Sequence, residues 1–254
     1  MTLETQDVGP KGGVVEADGL GVRFVKNRRR NLKLREFLVK RGRRPAIDEF
    51  WALRNITFAI KPGDAVGVIG KNGTGKSTLL KLIAGVLIPD EGEIATYGKV
   101  APLLELSAGF APDLTGRENV HIVGALHGIS RAEMKDLFPK IVQFADIGDR
   151  LDMQVRHYST GMRVRLGFAV IAHLQHPILL VDEVLAVGDK DFRSKCYATI
   201  ETMLAEGRTL VLVSHNESDL KRFCNRGIYI NSGNMVVDGP VEDALAAYNG
   251  LVMA

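Results

Sequence analysis

Apolar positions along the chain fall into two rhythms. Leu53, Ile56, Phe58 and Ile60 recur with the near-alternation of a half-buried strand over residues 52–60, and Val14–Phe24 carries short apolar stretches that predict an earlier strand. Ala65–Ile69, Ile178–Val181 and Thr209–Val213 are short apolar runs. Continuous runs of this kind, bounded by polar residues, suit central strands of a parallel sheet covered on both faces. Helical spacing appears over Ser77–Ala84, ended by Gly85, over residues 118–147 with a break at 128–130, and from about Gly161 to Leu174. Strands alternating with helices predict an α/β fold.

Residues 26–44 interrupt this order. They hold ten basic residues, Arg28, Arg29 and Arg30 among them, against one acid, Glu36, while Leu34, Phe37 and Leu38 recur at helical spacing. The pattern predicts a short basic amphipathic helix within an insertion spanning about 26–50. Residues 1–13 are polar and contain glycine, as in a disordered terminus.

Composition narrows the class. The chain has 254 residues, 46% of them hydrophobic and 25% charged, which suits one soluble domain from residue 14 onward, with a lobe inserted. A net charge of +3 is too small for wholesale nucleic-acid binding, so no nucleic-acid partner is expected. Cys196 and Cys224 form neither a disulfide framework nor a metal-binding spacing and are expected to be reduced. The first residues lack an apolar signal region, and no apolar run approaches the ~18 residues of a spanning helix, so a cytosolic chain is expected.

Candidate chemistry begins after the strand Ala65–Ile69. Gly70, Lys71, Asn72, Gly73, Thr74, Gly75, Lys76, Ser77 and Thr78 fit the phosphate-loop pattern G-x-x-x-x-G-K-[ST] in full, with a strand before it and a helix after it. The glycines let backbone N–H groups turn inward onto phosphate oxygens, and the following helix adds its positive end. Lys76 supplies a point charge for the β- and γ-phosphates of ATP, and Ser77 a hydroxyl for Mg²⁺. The run ending in Asp182 and Glu183 places two acids at the C-terminal edge of a buried strand, where ligands of doubly wound sheets lie. Asp182 is read as the Mg²⁺-side carboxylate and Glu183 as the general base for the attacking water. His215 follows a second buried strand and is read as holding the γ-phosphate, Glu183 and the water in line.

These elements, in this order, resemble the ATPase subunits of ABC transporters over nearly all of residues 14–248. Between the phosphate loop and the acid-tipped strand stands Tyr158-Ser159-Thr160-Gly161-Met162, which resembles the family signature usually written LSGGQ. Ser159 and Gly161 match; Thr160 and Met162 depart from the common form. The resemblance implies a P-loop NTPase core with an antiparallel β portion and an inserted α-helical subdomain at about 101–165. It also implies a head-to-tail dimer, in which Ser159, Thr160, Gly161 and Met162 of one copy face the ATP held by the other. Ala186–Asp189 looks like the D-loop, with Asp189 at its end, and Glu105 stands where the family has its Q-loop glutamine, near Mg²⁺ and the water. For the aromatic that stacks on adenine, the register suggests Phe24, with Trp51 as rival.

The segments at 49–55, 103–110, 114–119 and 182–189 resemble a narrower branch, the ATPases that export O antigen, capsule, teichoic acid or galactan. That resemblance implies an integral-membrane permease as partner, indirect contact with a polysaccharide, and a place on the cytoplasmic face of the plasma membrane. Some members carry an additional C-terminal carbohydrate-binding domain, for which a chain ending at Ala254 leaves no room. Two alternatives stay open at this point: an ABC ATPase for another cargo (lipid, peptide or drug), and a soluble ABC ATPase acting on nucleic acid. A single phosphate loop and the lack of a long heptad run speak against the second.

Overall fold

The computed structural model describes residues 8–26, 48–103, 109–182 and 189–252. The expected basic helix within 26–44, Glu105, and Glu183 with Ala186 to Gly188 lie outside the described residues.

The chain forms two sheets and a helical lobe. Strands β1 (Val15–Lys26), β2 (Asp48–Ile60) and β4 (Glu91–Thr96) make an antiparallel sheet in the order β2-β1-β4. The second sheet runs β5-β6-β7-β3-β8-β9, built from β3 (Ala65–Ile69), β5 (Val100–Pro102), β6 (Ile178–Val181), β7 (Thr209–Val213), β8 (Arg226–Asn231) and β9 (Asn234–Pro240). All its pairings are parallel except β8 with the edge strand β9.

The apolar runs are explained by what covers them. Ile178, Leu180, Val211 and Val213 point into a core shared with β1, β2 and helix α1 (Lys76–Ile83). Leu179, Val181, Leu210 and Leu212 point to the other face, against helices α4 (Thr160–His173), α5 (Lys190–Ala205), α6 (Glu217–Phe223) and α7 (Val241–Val252). Both faces are dry, so every residue of these strands is apolar or fully buried. Cys196 and Cys224 are free and buried in the second core, where burial pushes each thiol up to about 12. They are therefore unreactive near neutral pH.

A third core holds the lobe. The periodic stretch at 118–147 resolves into α2 (Gly116–Leu126) and α3 (Arg131–Ala145). Each starts with a complete capping box, Thr115 with Glu118 and Ser130 with Glu133, and it is Ser130 that turns the break at 128–130 into a new helix start. Val120, Val123, Met134 and Ile141 pack on Leu166, Ala169 and Val170 of α4, so α4 serves both the lobe and the main sheet. The disorder expected over 1–13 does not extend to residues 8–13. Glu16 accepts hydrogen bonds from the N–H groups of Lys11 (2.7 Å) and Gly13 (2.9 Å), and the Lys11 ammonium pairs with Asp18. Among the described residues, no helix is long and apolar enough to cross a membrane.

Candidate functional site

The parallel register brings three strand ends together. Val68 of β3 lies beside Val213 of β7, and Val181 of β6 beside Leu212. Gly70, Asp182 and His215, which follow those strands, therefore emerge at one edge of the sheet, with β7 in the middle. This is the carboxyl edge at which open α/β sheets bind ligands.

The loop from Gly70 to Gly75 is shaped by what it must pass. A Cβ on Gly75 would lie 2.5 Å from the Ala52 carbonyl and 2.6 Å from Leu53 Cδ2, and its φ of 108° belongs to the region that glycine alone enters readily. A Cβ on Gly70 would meet the Ile230 carbonyl at 2.5 Å. The loop is thus clamped between β2 and β8 and has no room for side chains at its two ends. Thr74 Oγ1 donates to the Lys71 carbonyl at 2.9 Å and closes the turn. Lys76 is only 5% exposed, and its Nζ donates to the carbonyls of Gly70 (2.8 Å) and Lys71 (3.0 Å). The ammonium is thereby held over the concave side of the loop. Ser77 and Thr78 open α1, whose first turn offers N–H groups with no partner inside the helix. Lys71, Asn72 and Gly73 form the exposed rim.

Ser159 caps α4. Its hydroxyl accepts from Met162 N at 3.2 Å, and Ser159 and Thr160 are exposed. Met162 points the other way: it is buried in the lobe core, with its sulfur 3.6 Å from Arg150 Nη1. Its side chain thus packs within the lobe, and the residues open to solvent at this helix start are Ser159, Thr160 and, in part, Gly161. Tyr158 braces this turn by donating to the Arg150 carbonyl at 2.7 Å and packing so closely on Gly116 that a Cβ there would be 2.1 Å from its hydroxyl.

Asp189 caps α5 by accepting from Phe192 N at 2.9 Å and pairs with the guanidinium of Arg165. These two contacts, the backbone bond first, hold its carboxyl down to about 2. Arg165 projects from α4, stacks over the Phe192 ring at 4.9 Å and reaches the carbonyls of Ala145 and Asp146. It ties the signature helix to the start of α5, a role not legible in sequence because its partners come from two distant segments. Because the folded carboxyl titrates below its unfolded value, its stabilising effect is present above about pH 4 and lost as pH falls toward 2. We expect the melting temperatures of wild type and Asp189→Asn to differ by a constant amount above pH 5 and to converge in acid, as read by circular dichroism.

The two aromatic candidates separate. From Leu20 onward β1 alternates regularly, so Phe24 continues the row of Leu20 and Val22, which faces the core over α1. Phe24 is 39% exposed and pairs with Phe50 at 5.8 Å between ring centroids, an aromatic that sequence reading passed over. Trp51 lies on the other face of the sheet. A register shift sets two residues of β2 against one step of β1 between Val22↔Leu53 and Arg23↔Trp51. The extra residue turns Trp51 to the opposite face. There its ring touches the Gly21 position and lies between the guanidinium groups of Arg23 (5.9 Å) and Arg54 (5.1 Å).

The fold and this edge define a phosphate-loop nucleotide-binding domain with a helical lobe presenting a capped helix start. The ABC transporter family model matches residues 53–186, and the chain belongs to that family. It is 42% identical over 214 residues to the O-antigen export system ATP-binding protein RfbB of Klebsiella pneumoniae, covering 84% of this chain and 85% of that protein. It is 43% identical over 203 residues to the ABC transporter protein AbcA of Aeromonas salmonicida, covering 80% and 66%. It is 39% identical over 206 residues to the teichoic acids export ATP-binding protein TagH of Listeria monocytogenes, covering 81% and 61%. Among solved structures, a dimeric post-hydrolysis state of the ATP-binding cassette MJ0796 bound to ADP and Pi superposes with a TM-score of 0.71 at 21% identity, covering 89% of this chain and 98% of that one. That likeness establishes the fold.

Proposed function

We propose that the chain is the ATP-hydrolysing subunit of an exporter that moves a lipid-linked cell-surface polysaccharide across the cytoplasmic membrane. It would work as a pair of copies bound to an integral-membrane permease on the cytoplasmic face. The observation that carries the ATPase part is the meeting of the Lys76 loop, Asp182 and His215 at one sheet edge. The names of the relatives support the cargo class.

In this reading the loop N–H groups and Lys76 bind the β- and γ-phosphates, exchanging the ammonium's bonds to the Gly70 and Lys71 carbonyls for phosphate oxygens. The donor set fits Mg²⁺: Ser77 in the first turn of α1 offers a hydroxyl and Asp182 after β6 a carboxylate, and hard oxygen donors are what that ion takes. Mg²⁺, when bound, neutralises charge on the phosphate oxygens. Glu183 accepts the proton of the attacking water, His215 donates to the γ-phosphate, and Glu105 approaches the same water. Ser159, Thr160 and Gly161 of the second copy close over the γ-phosphate with a hydroxyl and a helix N-terminus. Phe24, with Phe50 beside it, supplies the adenine platform. Phe24→Ala should raise KM for ATP several-fold with little change in kcat, measured by phosphate release.

The export reading is tested in cells whose own copy is replaced by Lys76→Ala. The expected result is glycan that stays lipid-linked and protected from added glycosidase in right-side-out vesicles. Unchanged surface glycan would exclude this cargo class.

A further inference from the structure

His127 caps the C-terminal end of α2 in the lobe, and His176 sits in the loop between α4 and β6, at the core. The two are 49 residues apart in sequence, yet His127 Nδ1 lies 3.1 Å from His176 Nε2. His176 is 5% exposed. A cavity of about 310 Å³ opens beside the pair, and Lys99, Glu133, Asp136, Lys140 and His173 line it as well. None of these groups has a part in the nucleotide chemistry above.

We propose that His127 and His176 form a two-imidazole site for a divalent transition-metal ion that fastens the helical lobe to the core. Two nitrogens bound to one such ion at about 2.0–2.1 Å stand roughly 2.9–3.4 Å apart, from right-angled to tetrahedral geometry. The observed 3.1 Å falls in that range. Small rotations of the rings aim both lone pairs at a common point in place of each other. In the ion-free pair one ring donates its N–H to the other. On binding, that proton moves to the same ring's second nitrogen, so both imidazoles stay neutral and none is released.

The surroundings tolerate a dication. The carboxylates of Glu133 and Asp136 on the cavity wall balance the ammonium groups of Lys99 and Lys140. His173 donates from Nδ1 to the Ala169 carbonyl at 2.7 Å, which leaves its Nε2 as an acceptor. Among the described residues no three donors already converge, so water completes the shell. Imidazole nitrogens favour zinc, nickel, copper or cobalt over magnesium, which separates this site from the one at Ser77 and Asp182. An ion here would hold α2 against the loop before β6 and oppose movement of the lobe.

The test uses the full chain without an affinity tag. Calorimetric titration with Zn²⁺ should show one saturable ion per chain, and Co²⁺ should give visible d–d absorption. His127→Gln, at a half-buried position, should weaken Zn²⁺ binding by roughly tenfold or more. Zn²⁺ saturation should depress ATP hydrolysis by the wild type and leave that of His127→Gln unaffected; this arm alone rests on the ATPase reading. Absence of saturable Zn²⁺ binding, absence of the Co²⁺ band, or equal affinity in His127→Gln would overturn the site. Metal binding intact in a chain that never hydrolyses ATP would overturn the ATPase reading and leave the site standing.

Discussion

Lys76→Ala is expected to lower ATP turnover by about 10²–10³-fold or more, on the scale of losing one preorganised donor to developing charge. The reason is geometric. The ammonium is buried and already poised over the loop by two carbonyl bonds, so it reaches the phosphates with little reorganisation. Lys76→Arg should rescue poorly, because a planar guanidinium does not fit a space made for a point charge. Phosphate release measures the rate, and binding of a fluorescent ATP analogue separates lost affinity from lost chemistry.

Ser159→Glu is expected to reduce turnover on a similar scale by a different route. The substitution places a carboxylate at an exposed helix start that, in our reading, must accept the second copy's γ-phosphate, so like charges meet at closure. In this reading the side chain serves the second copy's nucleotide, so ATP affinity of the isolated chain should be unchanged. Ser159→Ala should do less: it removes the Met162 N–H acceptor and a hydroxyl, about 1 kcal/mol of capping, and adds no charge. Thermal melts of both variants control for the lost cap.

How much of this could be seen in the sequence depended on whether the signal was local. The phosphate loop was legible because its glycines answer steric demands that admit no substitute, as at Gly75. Strands β6 and β7 were legible because covering both faces leaves only apolar choices. The break at 128–130 marked a helix start, although only the bonds between Ser130 and Glu133 fix its residue, and the start of α2 at Thr115 shows only in its bonds with Glu118. The facing of Trp51 was not legible, since it turns on an extra residue in β2 that shows only in pairing with β1. Met162 stands where a signature glutamine is usual, and only packing reveals that it fills the lobe core. Arg165 with Asp189, and His127 with His176, are contacts between segments far apart in the chain, and no local pattern announces them.

Whether two chains share their nucleotides decides the account, and sedimentation velocity on the Glu183→Gln protein measures it most directly. With hydrolysis blocked, saturating ATP and Mg²⁺ should drive this protein into a dimer, while Glu183→Gln/Ser159→Glu stays monomeric under the same conditions. A single variant that remains a monomer with ATP, or a double variant that dimerises equally well, would contradict the shared site.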